Sequence, residues 1–291
     1  MWLALFTIVA HAEPFEVLYN GPVLQAGQSA IVGSAKAPLR ASPLEESSIL
    51  RELPVGAVVR VVGMNELESL PQSFTNETFG ETYDRETHWW IVEYSEATPA
   101  PIVGYMLSAD LATQTFENDF NGDGRYESLL VHYDQDGTLA VRWFDSNTSP
   151  GDDGSRPSGE VSLGAPHDFG GLLQLAQVEM LPPEVAGMPL LKVTVPGSEM
   201  CGGFTTTTWV SMGDQLSATL KTISGGDAPV FTSGEVAFYP KKRTAVLTIT
   251  NGEYMNDGSE ENDVTTQQWT FSNGVWTKKS EKTKHVIIPA Q

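Results

Sequence analysis

Short runs of alternating β-branched and aromatic residues, each closed by a turn signal, recur along most of this 291-residue chain, and they constrain its fold class more than any other feature. Ser128 to Tyr133, Thr138 to Phe144, Gln177 to Leu181, Leu190 to Val195, Phe204 to Met212, Gln215 to Thr222, Glu235 to Tyr239, Thr244 to Thr250, Thr265 to Phe271 and Val275 to Lys279 all read as strands. Asp134-Gln135-Asp136-Gly137, Gly213-Asp214, Asn251-Gly252 and Asn273-Gly274 read as the turns between them. A helical period is confined to one short stretch, Gly171 to Val178. The pattern predicts an all-β protein with room for about two domains.

The larger domain is expected over 115–284, an antiparallel β domain built as a sandwich or a small propeller-like stack. Within it Ser146 to Gly159 is rich in Ser, Pro, Gly and Asp and is expected to be a loop. Lys241-Lys242-Arg243 reads as a hairpin turn. Lys278, Lys279, Lys282 and Lys284 read as a frayed, soluble end, with 285–291 as a tail. Residues 13–30 form a lead-in of weak pattern.

Formal net charge is −20, which repels phosphate backbones and excludes nucleic acid as an expected partner. Trp2 to Ala10 is apolar and Ala10-His11-Ala12 has the form of a signal-peptidase site. Residues 1–12 are therefore expected to be a signal peptide, with the mature chain periplasmic or secreted. No later stretch approaches the ~18 apolar residues of a membrane span. The one cysteine, Cys201, cannot form an internal disulfide, so burial must hold the core.

Between Ala37 and Thr113 the residues support a family resemblance. Leu39-Arg40-Ala41-Ser42-Pro43, Ser48, Leu53-Pro54-Val55-Gly56, Val59, Val61, Trp89-Trp90-Ile91-Val92 and Gly104-Tyr105-Met106 before Leu111 resemble the bacterial SH3 domain, with Tyr105 where the family commonly has Trp. The resemblance implies a small SH3-like barrel over 31–113 that binds cell-wall peptides or protein partners beside another domain. A polar insert, Asn65 to Thr87, interrupts it and is expected to be a long loop, mobile or functional. Alternate strand residues share a face. The set Trp90, Val92 and Tyr94 is the better core candidate, so Trp89 is expected to face outward beside Tyr105. There it could stack on a peptide or sugar; otherwise both tryptophans merely cover the barrel end.

A second motif is Asp119-Phe120-Asn121-Gly122-Asp123-Gly124-Arg125-Tyr126-Glu127. Side-chain oxygens fall at positions 1, 3, 5 and 9, a backbone carbonyl is available from Arg125 at 7, and Gly124 stands at 6 for a sharp turn. A calcium ion takes several such oxygens in a flexible shell. Leu130 replaces the last EF-hand ligand and a strand follows, so the loop is similar instead to the calcium loops of FG-GAP and VCBS-type β repeats. The alternative is a solvated turn rich in Asp and Asn. The acidic run Asn256 to Asp263 reads as a hairpin loop.

Catalytic motifs are weak. Met200-Cys201-Gly202-Gly203-Phe204 and His285-Val286 resemble the Cys and His segments of NlpC-type cell-wall peptidases only superficially, because Asp and Ser are missing beside Cys201 and a strand follows it. No zinc-ligand spacing, nucleophile elbow or P-loop occurs. Two acids brought together by folding would leave no linear signature. The sequence thus predicts an exported, non-enzymatic binding protein that recognises a cell-wall peptide or envelope protein and carries one calcium site. The alternatives are a cell-wall hydrolase targeted by the barrel and a purely structural envelope protein.

Overall fold

A computed structural model describes residues 15–76, 81–95, 100–112, 115–134, 137–145, 157–164, 175–196 and 203–290, through the backbone alone over 65–76 and 81–85. The apolar leader, His11, His167 and Cys201 lie outside the described residues.

The chain is all-β. In order, the strands are β1 (Phe15–Leu18), β2 (Ser29–Val32), β3 (Ala37–Arg40), β4 (Ile49–Leu53), β5 (Val58–Asn76), β6 (Glu81–Tyr94), β7 (Ile102–Leu107), β8 (Leu111–Ala112), β9 (Phe116–Asn118), β10 (Glu127–Tyr133), β11 (Leu139–Phe144) and β12 (Gly159–Gly164). After them come β13 (Leu175–Leu181), a one-turn helix α1 (Pro183–Ala186), β14 (Leu190–Val195), β15 (Phe204–Met212), β16 (Leu216–Gly225), β17 (Val230–Tyr239), β18 (Thr244–Tyr254), β19 (Glu260–Ser272) and β20 (Val275–Ile288). They form a seven-stranded sheet β4-β3-β7-β6-β5-β2-β8, a four-stranded sheet β12-β11-β10-β9 and a nine-stranded sheet β1-β13-β14-β15-β16-β17-β18-β19-β20, with every pairing antiparallel. No helix among the described residues is long and apolar enough to cross a membrane.

Alternation explains the seven-stranded sheet. Leu39, Leu53, Val59, Val61, Trp90, Val92, Tyr94 and Met106 meet in one core, as the Trp90 set predicts. The four-stranded sheet obeys a different rule. Every residue of β10 is buried, so Ser128-Leu129-Leu130-Val131-His132-Tyr133 does not alternate between polar and apolar. A strand covered on both faces reads as a continuous run. Leu129, Val131 and Tyr133 pack toward the nine-stranded sheet, against Val178, Leu191, Val193 and Val210. Leu130 packs with Phe144 against Ala112 of the seven-stranded sheet and Val55 of its β4–β5 turn. Each such side chain contributes roughly 1.5–3 kcal/mol on burial, so this middle layer joins the other two.

Polar contacts fix its position. His132 is buried with Nε2 3.3 Å from the Ser34 hydroxyl. Buried Arg142 donates to both oxygens of Asp134 at 2.6 and 2.8 Å and to the Gly33 carbonyl at 3.0 Å, and its Nε is ion-paired with half-exposed Glu160 at 2.6 Å. The long sheet curls back on itself: Ser211 donates to the Gly274 carbonyl, Thr219 to the Trp276 carbonyl, and Trp276 is buried with Trp209, Leu220 and Leu247.

Several expectations need correction. The described part of the polar insert Asn65 to Thr87 is strand: after an irregularity between Met64 and Ser69, β5 and β6 pair from Ser69–His88 out to Asn76–Glu81, because ladder hydrogen bonds need no apolar face. The lead-in contributes β1, which pairs with β13. Gly159 opens a strand, β12. Residues 175–178 of the helical-period stretch lie in β13. Asn251-Gly252 is mid-strand in β18, where a Cβ on Gly252 would collide with the Phe231 ring. Lys278 to Lys284 and His285 are not frayed; they belong to β20, which pairs with β19 out to Ile288. Asn256 to Ser259 form the β18–β19 connection, but Glu260 to Asp263 of the expected loop lie in β19, paired with β18.

A Cβ on Gly33 would lie 2.4 Å from a buried ring carbon of His132. Gly33→Ala is expected to destabilise the protein by about 1–3 kcal/mol in urea unfolding. In a His132→Ala background the same substitution should have little further effect; an equal loss in both backgrounds would refute the contact.

Candidate metal centre in the β9–β10 loop

The residues at 119–126 connect β9 to β10, and the loop is held at both ends. Phe120 is buried in the core shared with the nine-stranded sheet. Glu127, the first residue of β10, is buried too. Between them the sequence builds a chain of carboxylate-to-amide bonds. Asp119 accepts from the backbone N–H groups of Gly122 and Gly124 at 2.8 and 3.0 Å. Both glycines have positive φ, 81° and 88°, a conformation that side-chain-bearing residues rarely take. Asn121 accepts from Asp123 N–H, and Asp123 from Arg125 N–H, each at 2.8 Å. Glu127 accepts from Phe120 N–H at 2.9 Å and from the Asn121 amide at 3.1 Å.

These bonds bring three carboxylates together, Glu127 buried, Asp119 half-buried and Asp123 exposed. Ligand oxygens of Asp119, Asp123 and Glu127 lie within 4.8 Å of one another. Burial pushes the Glu127 carboxyl above its ordinary value; the Phe120 and Asn121 amides oppose this, and the neighbouring Asp123 and Asp119 charges add to it. Like charges this close repel. An all-oxygen set around buried Glu127 fits a hard cation such as calcium, which tolerates irregular geometry. Asp119, Asp123 and Glu127 would hold it, with the Arg125 carbonyl as a further oxygen; the expected Asn121 ligand is corrected, because Asn121 turns its amide N–H groups, not its oxygen, toward Glu127 and Asp123. A bound cation would neutralise the convergent charge and fix the entry to β10.

The aromatic pair has a different outcome. Trp89 leaves the core that holds Trp90, but it does not reach solvent: it is 1% exposed, packed with Leu107 and Ala109. The outward-facing expectation is corrected because this face is covered. A 3-10 turn, Ser108–Asp110, and the lead-in lie there, with Ser108 accepting from His88 N–H and donating to the Asn20 carbonyl. Gly21, with φ 85°, allows the approach, since a Cβ there would overlap the Ser108 carbonyl. Tyr105 is half-buried on the same face, and the pairings Trp89–Leu107 and Ile91–Tyr105 make it a diagonal neighbour of Trp89.

Sequence reasoning missed two features. Asn118 accepts from Asp119 N–H and donates to the Met180 sulfur, anchoring the loop's first turn. A cleft of about 660 Å³ at the far end of β17–β20 gathers Asp227, Glu253, Glu261, Asp263 and His285, with His285 Nδ1 3.0 Å from Asp263. Glu253 and Glu261 are cross-strand partners, a proximity with no linear signal.

A carboxyl raised above its unfolded value binds its proton more tightly in the folded state. In chelator, Glu127 therefore adds stability below the unfolded value of 4.5 and loses it as pH rises through the raised folded value. Subtracting the Glu127→Gln profile from wild type in urea unfolding should show a difference that falls across that window and is flat elsewhere. A difference that rises there would contradict the assignment. The chain matches no protein-family model, no curated protein and no solved structure.

Proposed function

We propose that the protein is an exported, non-enzymatic binding protein whose β layers are stabilised by one calcium ion and whose N-terminal, SH3-like sheet takes a cell-wall peptide or envelope protein. The observation that carries the calcium reading is the convergence of Asp119, Asp123 and Glu127 at the entry to the doubly buried β10. The export reading rests on the apolar leader and its Ala10-His11-Ala12 site. With Trp89 buried, the contact surface of the first sheet shifts to its free edge, β4. On it Ile49 and Leu50 are exposed at 48% and 44%, and Leu44 is exposed at 52% in the turn before it. Apolar side chains on an open edge favour a protein or peptide strand over simple attraction to an anionic wall.

One observation favours the hydrolase reading. Directly opposed residues have Cβ atoms about 4.5–5.5 Å apart, within reach of the carboxyl separations glycosidases use. Glu253 and Glu261 meet this condition in the cleft of about 660 Å³. Both are exposed to water, which does not supply the dry environment that raises a general acid.

Calcium at about ten times its Kd should stabilise the fold by about 1.4 kcal/mol, a rise in Tm of roughly 3–6 °C. Asp123→Ala should abolish the rise; no shift at about 10 mM calcium, ten times the Kd of the weakest known sites, would refute it. Co-sedimentation with purified sacculi, with the supernatant assayed for fragments, tests the rest. Pelleting without release, reduced in Leu50→Glu, supports the binder. Release that disappears in Glu253→Gln overturns it in favour of the hydrolase.

A further inference from the structure

Seven of the chain's 17 Lys and Arg residues fall within 241–243 and 278–284. These stretches are distant in sequence, yet the sheet brings them together. Tyr239 pairs with Thr244, Thr244 with Thr270 and Thr270 with Thr277, so one row of four hydroxyls crosses β17, β18, β19 and β20. A bulge at Gln268/Trp269 pairs Trp269 with Lys278 and Gln268 with Ser280, leaving Lys279 out of register. Lys279 and Lys242 then join Tyr239, Thr244, Gln268 and Thr270 around a cleft of about 370 Å³.

The charge continues along the strand. Lys282 and Lys284 pair with Thr266 and Val264, so they share the face of Gln268 and Thr270. The opposite face of these strands carries the core of Trp276, Phe238 and Leu247. Lys278 points to that side and is bound to Glu281 at 2.7 Å. Among the described residues Lys242, Lys279, Lys282 and Lys284 take part in no ion pair. The carboxylate of Glu235 is on the same face, in the row of Lys282 but three strands away, about 14 Å at ordinary strand spacing.

Lysines on an open edge strand also keep sheets from joining edge to edge. That accounts for β20 by itself. It does not account for a second basic turn at the same end, a Tyr239 ring 48% exposed beside it, or a hydroxyl row between them.

We propose that this cleft and its lysine stripe bind an anionic polysaccharide. A sugar ring stacks on Tyr239, its hydroxyls bond to Thr244, Thr270 and Gln268, and its acidic groups meet Lys242 and Lys279. The cleft has the volume of a small-ligand site, and a duplex spread over the surrounding surface of a −20 chain would be repelled. The site is independent of the calcium loop and of the β4 edge.

The test is binding of the full chain, in chelator, to sensor tips coated with polygalacturonate, neutral dextran or duplex DNA. Wild type should bind polygalacturonate alone, and binding should weaken between roughly 50 and 200 mM salt. Lys242→Gln/Lys279→Gln, both exposed changes, should lower affinity about tenfold and flatten the salt dependence. Tyr239→Ala should lower affinity with the salt dependence unchanged. An unaltered thermal melt shows that each variant is folded. No binding to polygalacturonate, equal binding by the lysine variant, or DNA binding as strong as glycan binding would overturn the proposal.

Discussion

The double burial of β10 governs the rest of the molecule. One short strand presents Leu129, Val131 and Tyr133 to the nine-stranded sheet and Leu130 and His132 to the seven-stranded one. Three layers then share two apolar seams. This places demands on everything attached to the strand. Gly33 must lack a side chain to admit the His132 ring, and Arg142 must be supplied with acceptors, since removing a partner from a buried ion pair costs about 3–5 kcal/mol.

The acidic loop is the most exacting of these attachments. Glu127 enters the layer as a carboxylate among buried neighbours, with Asp119 and Asp123 turned toward it. Backbone amides satisfy many of the carboxylate lone pairs and fix the shape, but they bring no full positive charge. The proposed calcium ion would supply it, in a structural role: it would neutralise a charged entry to a strand that cannot shift without opening both seams. The long C-terminal ribbon is under a different constraint. Half of it is folded into a core around Trp276, while its outer face is polar, hydroxyl-bearing and locally basic within an acidic chain.

Much of this was legible in the sequence where one face is buried. Leu190 to Val195 matches its strand because Leu191, Val193 and Val195 alternate with Lys192 and Thr194, and Phe204 to Met212 matches because its threonine tract is β-branched. The loop was legible because ligand oxygens at alternate positions, with Gly124 at the bend, are a local pattern. The missed elements lack such a pattern. β12 offers only two core-facing apolar residues, Val161 and Leu163; the outer segments of β5 and β6 are mostly polar in sequence and held by ladder bonds; and β1 is too short to show a period. Alternation also put Trp89 on the correct face, but what covers that face comes from Ser108 and Asn20, far apart in the chain. The convergence of Lys242 with Lys279, and of Glu253 with Glu261, depends on which strands pair and was not readable in advance.

The most direct measurement of the central claim is anomalous diffraction from crystals grown in calcium, at a wavelength where calcium scatters anomalously. The account predicts a peak bounded by Asp119, Asp123 and Glu127, with oxygens at about 2.3–2.6 Å and the Arg125 carbonyl turned toward it. A clean map of the loop with no such peak, its carboxylates bonded only to backbone amides and water, would contradict it.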